Sequence, residues 1–103
     1  GRKGGKKKTM KKIVLVCNGG MSTAMLAKRM REASEEELDI AAYGEVEFLE
    51  HIEGASVILV GPQLRFRIPD FKKETDIPIV GISPQRYGLM DGKGVLKDIQ
   101  EYL

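Results

Sequence analysis

Tryptophan is absent from this chain, and cysteine and histidine occur once each. A lone cysteine excludes an internal disulfide and a two-cysteine redox motif. One Cys and one His also supply too few nitrogen and sulfur ligands for a structural zinc site. No apolar run approaches the roughly twenty residues needed to span a bilayer, and the N-terminus lacks the apolar core of a secretory signal. The expected location is therefore the cytoplasm. A basic stripe interleaved with aromatics is missing too, which argues against nucleic acid as a ligand.

The net charge of +2 hides an uneven distribution, because Arg2, Lys3, Lys6, Lys7 and Lys8 supply five of the 17 basic residues. Without them the body is mildly acidic. Residues 1–9, glycine-rich and basic, bury nothing and read as a disordered tail or an expression remnant rather than a membrane-attracting arm. Residues 10–103 fall within the usual size of one compact domain.

From Met10 onward, short apolar runs alternate with stretches of helical period, the pattern of a parallel sheet flanked by helices. Residues 13–16 are continuously apolar, as a central parallel strand covered on both faces requires. A helix is expected from Ser22 or Thr23 to about Ala33, with Leu26, Met30 and Ala33 inward. Residues 38–43 read as a more polar edge strand, and 45–52 as a short helix with Leu49 and Ile52 inward. Residues 56–60 form a second apolar strand. A helix over 64–74 tolerates Pro69 only near its first turn, 77–82 gives the last strand, and 83–92 reads as loop. An amphipathic helix over 95–103 turns Val95, Leu96, Ile99 and Leu103 inward. Right-handed crossovers favour a three-layer, Rossmann-like sheet of order 2-1-3-4, with a ligand crevice between strands 1 and 3.

At that crevice stand Cys17 and the turn Gly61-Pro62-Gln63. The run Cys17-Asn18-Gly19-Gly20-Met21-Ser22-Thr23 joins a strand to a helix through small residues, so successive backbone N–H groups and the positive end of the helix dipole converge on one point. Such a point suits a phosphate dianion. Ser22 and Thr23 cap the helix or donate hydroxyls to a phosphoryl oxygen. A helix N-terminus also favours an anionic sulfur, the nucleophilic form. By placement alone, a nucleophile and an inert buried cysteine at a strand end fit Cys17 equally well.

A nucleotide-binding loop needs Lys before its Ser or Thr, and Met21 stands there. Tyrosine phosphatases of low molecular weight share the strand–cysteine–loop–helix arrangement, but clamp phosphate with Arg six positions after the cysteine. Thr23 occupies that position, so a hydrolase is disfavoured and a carrier favoured. His51, a possible base or phosphorylation site, lies in an acidic stretch and reads as a solvated surface histidine.

The segment Val16-Cys17-Asn18-Gly19-Gly20-Met21-Ser22-Thr23 resembles the active loop of enzyme IIB components of the lactose, cellobiose and chitobiose class of phosphoenolpyruvate-dependent sugar phosphotransferase systems. Leu59-Val60-Gly61-Pro62-Gln63 extends the likeness, as do Tyr87-Gly88, Asp91-Gly92 and Gly94-Val95-Leu96 in order. Asn18 and Gly19 depart from the small pairs of that loop but suit a tight turn.

The resemblance implies a phosphotransferase. Cys17 takes a phosphoryl group from a phosphohistidine on a IIA protein and passes it to sugar held by the membrane IIC transporter, with no cofactor or metal. Membrane contact is then through IIC alone. By position, Asn18 to Thr23 carry over as the phosphate-binding loop, with Gln63 and Tyr87 as candidates nearby. Met21 and Leu64 are expected as exposed apolar contact points. Two other readings stay open on the residues, a small cysteine phosphatase and a binding domain of the same fold whose cysteine never reacts.

Overall fold

In a computed structural model of the chain, the structure describes residues 10–18 and 21–103, with all of their side chains except those of Met21 and Ser22. The expectations for residues 1–9, for Gly19 and Gly20, and for the Met21 and Ser22 side chains lie outside the described residues.

Four parallel strands, β1 (Lys11–Cys17), β2 (Leu38–Gly44), β3 (Ala55–Val60) and β4 (Ile79–Gly81), form one sheet in the order β2-β1-β3-β4. The order is the one expected from the sequence. β1 is central because it is apolar on both faces: Ile13, Val14, Leu15 and Val16 are all fully buried. Alternate side chains of a strand face opposite ways. Ile13 and Leu15 therefore join Leu26, Met30, Val95 and Ile99 in one core layer, while Val14 and Val16 join Phe48, Leu64 and Phe71 in the other.

The first layer lies under the helices α1 (Met21–Ala33) and α4 (Gly92–Asp98). These two pack closely because α4 begins with glycine: a Cβ on Gly92 would stand 2.5 Å from the Met30 nitrogen. The second layer lies under two 3-10 turns, Phe48–His51 and Pro62–Arg67, and the short helix α2 (Ile68–Lys72). A fourth helix, α3 (Pro84–Gly88), follows β4.

Several sequence expectations change in detail. Residues 45–52 are a turn and a single 3-10 turn, and Phe48 rather than Leu49 is the inward residue. Phe48 wins because its ring meets Phe71 edge-on, with centroids 4.8 Å apart, which turns Leu49 outward at 37% exposure. The helix expected over 64–74 begins as the 3-10 turn and becomes α-helical only at Ile68. Pro69, which has no N–H to donate, then falls in the first turn of α2, where none is needed. Residues 83–92 are not loop throughout: the Ser83 side chain accepts from the Arg86 N–H at 3.1 Å and Pro84 opens α3. The last helix starts earlier than Val95, since the Asp91 carboxylate accepts from the Gly94 N–H at 2.9 Å, and after Asp98 it gives way to a 3-10 turn, Gln100–Tyr102. His51 is at the surface but only partly exposed, its ring stacked on Tyr43 with centroids 4.0 Å apart.

Candidate functional site around Cys17

Cys17 is the last residue of β1, at the carboxyl edge of the central strand, and is 5% exposed. It continues the face of Ile13 and Leu15, the one that α1 covers. Gly44 is its register partner in β2. On the other side the Gly61 N–H donates to the Val16 carbonyl at 2.9 Å, carrying the pairing past the end of β3. Glycines on both sides leave no side chain to crowd the sulfur from the flanking strands. The first described residue of the following helix is Met21, so α1 starts four positions after the cysteine.

Gly61 measures how near the second loop comes. A Cβ there would lie 3.1 Å from Gln63 Oε1 and 3.9 Å from Cys17 Cβ. The Gln63 carboxamide therefore folds back over the glycine that abuts Cys17. Asn18 is exposed.

Thr23, two positions into α1 from its start, is 1% exposed, and its Oγ1 lies 3.4 Å from the Tyr87 hydroxyl. Tyr87, in α3, is half-buried against the core layer that α1 and α4 cover. Leu64 is not a surface contact point: it is 3% exposed and belongs to the second core layer. The exposed large apolar side chain of that segment is Phe66, at 74%. A signal for it lies in the helical spacing, since Leu64 turned inward leaves Phe66 on the opposite side.

A second group of residues carries no motif that marks it in the sequence. Arg86 Nη1 donates to Asp91 Oδ2 at 2.9 Å, Nε to Asp98 Oδ2 at 3.0 Å and Nη2 to Asp98 Oδ1 at 3.2 Å. Bidentate pairing of this kind fixes orientation as well as charge. The Gly94 N–H, opposed by partial burial and helped by Arg86, holds the Asp91 carboxyl below its ordinary range. Bonds to Asp98 and Asp91 push Arg86 further up.

These features define a three-layer parallel α/β domain whose only described cysteine ends the central strand, at the carboxyl edge where such sheets bind ligands. The chain belongs to the lactose/cellobiose-specific IIB subunit family of the sugar phosphotransferase system, which it matches over residues 12–98. It is 39% identical over 90 residues to the oligo-beta-mannoside-specific EIIB component of Bacillus subtilis (strain 168), spanning 82% of this chain and 87% of that protein. The cellobiose-specific EIIB component of Lactococcus lactis subsp. lactis (strain IL1403) is 32% identical over 97 residues, 84% of this chain and 90% of the relative. The solution structure of a cellobiose-specific IIB protein from Borrelia burgdorferi, 31% identical, superposes with a TM-score of 0.74 over 93% of this chain and 94% of that one. The lactose-specific IIB domain from Streptococcus pneumoniae, at 19% identity, shares the fold with a TM-score of 0.79 over 91% and 98% of the two chains.

Family membership makes the protein a IIB component of lactose/cellobiose-type sugar uptake, with a part in sugar phosphorylation. Among the described residues no helix is long and apolar enough to cross a membrane.

Proposed function

We propose that Cys17 carries the phosphoryl group as a phosphocysteine, receiving it from a phosphohistidine on a IIA protein and passing it to sugar bound by the membrane IIC transporter. The observation that carries this reading is the position of Cys17 at the carboxyl edge of the central strand, four residues before Met21 of α1. Residues 18–23 then serve as the phosphate-binding loop, supplying backbone N–H groups and the positive helix end. The working unit is residues 10–103 in the cytoplasm, and it meets the membrane only through IIC.

Both half-reactions are in-line displacements at phosphorus. In the first, the Cys17 sulfur attacks, the S–P bond forms, and the N–P bond of the phosphohistidine breaks with its electron pair going to the imidazole. In the second, a sugar hydroxyl attacks and gives its proton to a base on the IIC side, while the S–P bond breaks to release the thiolate. A thiolate leaves readily, so one loop serves both directions. Catalysis is mainly positioning and charge stabilisation by preorganised donors. The Gln63 carboxamide, folded over Gly61 beside Cys17, is suited to touch the phosphoryl oxygens. A phosphatase is the weaker reading, because Thr23 stands where the clamping Arg would be and its hydroxyl is engaged by Tyr87.

The test is reconstitution. Phosphoenolpyruvate, the general phosphotransfer proteins, a IIA protein and vesicles bearing the cognate IIC should form sugar phosphate only when this protein is added. Cys17→Ser should give none. Sugar phosphate formed at the wild-type rate by Cys17→Ser would overturn the proposal.

A further inference from the structure

We propose that Tyr87 is a positioning residue for the loop at Cys17, holding the first turn of α1 through the Thr23 hydroxyl while the Arg86 ion pairs hold Tyr87. The inference rests on the phosphocysteine reading and deepens it.

A hydroxyl buried as fully as that of Thr23 costs stability unless it is hydrogen-bonded, and among the described residues its partner is the Tyr87 hydroxyl at 3.4 Å, 64 residues away in the chain. A hydroxyl has one proton and two acceptor sites. Either hydroxyl can therefore donate to the other.

The element that presents Tyr87 does not hold itself in place. α3 is five residues long, and so short a helix is not stable on its own. Its anchors are the Ser83 cap and Arg86, whose guanidinium reaches Asp91 at the start of α4 and both carboxylate oxygens of Asp98 at its end. Gly94 makes room for this clamp: a Cβ there would stand 2.4 Å from both Arg86 Nη1 and Asp91 Oδ2. Tyr87 is the next residue after Arg86, and its ring packs on the core layer beneath α1 and α4. Clamp, ring and hydroxyl thus form one chain of contacts from α4 through α3 to the first turn of α1. In the phosphocysteine reading, the phosphate-binding loop that follows Cys17 leads into that turn. Because in-line transfer loses rate when the reacting groups shift by about 1 Å, a slackened α1 start slows chemistry without touching the partner surface.

The test uses the full chain as wild type, Tyr87→Phe, Thr23→Val and the double variant. Tyr87→Phe keeps the ring and removes only the hydroxyl. Two quantities are measured. One is amide hydrogen exchange at Met25, Leu26 and Ala27, whose N–H groups bond to first-turn carbonyls. The other is single-turnover phosphoryl transfer from a phosphorylated IIA protein over a range of IIA concentrations. Each single variant should speed exchange at those amides severalfold and leave Met30 unchanged. Each should also lower the maximal transfer rate by about tenfold with an unaltered KM for IIA. The double variant should be no slower than either single one, because the same bond is lost.

Unchanged exchange in Tyr87→Phe, unchanged maximal rate, or losses that multiply in the double variant would each overturn the proposal. So would a raised KM with the rate kept, which would make Tyr87 a partner contact. A wild type that takes no label while a control IIB labels would overturn the phosphocysteine reading and the rate claim with it. The exchange data would still decide whether Tyr87 holds α1.

Discussion

Gly92 in α4 lies directly against the backbone of Met30 in α1, where a Cβ would stand 2.5 Å from the Met30 nitrogen and 2.7 Å from the Arg29 carbonyl oxygen. Neither atom belongs to a side chain that swings away, so α1 and α4 must separate to admit one methyl group. Gly92→Ala should cost about 1–3 kcal/mol or more, although alanine favours helix elsewhere. Urea unfolding followed by circular dichroism measures this. A variant as stable as wild type would mean that the helices do not pack this closely.

Phe48 and Leu49 give a paired contrast. Phe48 is fully buried beside Phe71, and its truncation to alanine should cost about 3–5 kcal/mol, much of the about 5–15 kcal/mol that holds such domains folded. Leu49→Ala, at an exposed position, should change stability by no more than about 0.5 kcal/mol. Urea midpoints at constant slope check both.

The Asp91 carboxyl predicts a pH dependence. The Gly94 N–H, and then Arg86, hold it below its ordinary 3.8. A carboxyl whose folded value lies below its unfolded value stabilises the fold above the unfolded value, and that contribution is lost as pH falls through the folded one. The melting temperature of wild type should therefore exceed that of Asp91→Asn by a constant margin at neutral pH, and the margin should close below pH 3.8. A margin that widens on acidification would contradict the assignment.

Gln63 should be sensitive to charge. If its carboxamide meets the phosphoryl group on Cys17, Gln63→Glu places a negative charge against a dianion and should slow labelling by at least about tenfold, a barrier increase of about 1.4 kcal/mol. Gln63→Ala should slow it less. Rapid-quench labelling with phosphorylated IIA measures both, and equal rates for the Glu and Ala variants would remove the charge argument.

What is legible in the sequence follows from local patterns. Continuous apolarity over residues 13–16 and 57–60 marks strands covered on both faces, and the less apolar 38–43 segment, interrupted by Asp39, marks an edge, so the strand order can be read from the apolar pattern and the handedness of the crossovers. Short helices are harder. Ser83-Pro84 is a cap followed by a proline at the first helical position, a signal for α3 that the glycine and aspartate nearby obscure. The choice between Phe48 and Leu49 depends on Phe71, 23 positions on, which no periodicity over residues 45–52 contains.

At the site, the strand end and the helix start that flank Cys17 can be read from the run of small residues after an apolar strand. The bond between Thr23 and Tyr87 and the Arg86 clamp cannot, because each joins residues that only the packing of α3 against α1 and α4 brings together. Leu64 shows the same limit in reverse. A place near the cysteine loop suggests an exposed contact point for partners, and packing in the second core layer decides otherwise.

The most direct measurement is the mass of the peptide containing Cys17, after the protein is incubated at neutral pH with phosphoenolpyruvate, the general phosphotransfer proteins and a IIA partner that labels a control IIB. One added phosphoryl group on that peptide, discharged when IIC vesicles and sugar are supplied and absent in Cys17→Ser, is the predicted result. A phosphoryl group on any other residue, or an unlabelled wild type beside a labelled control, would contradict the account.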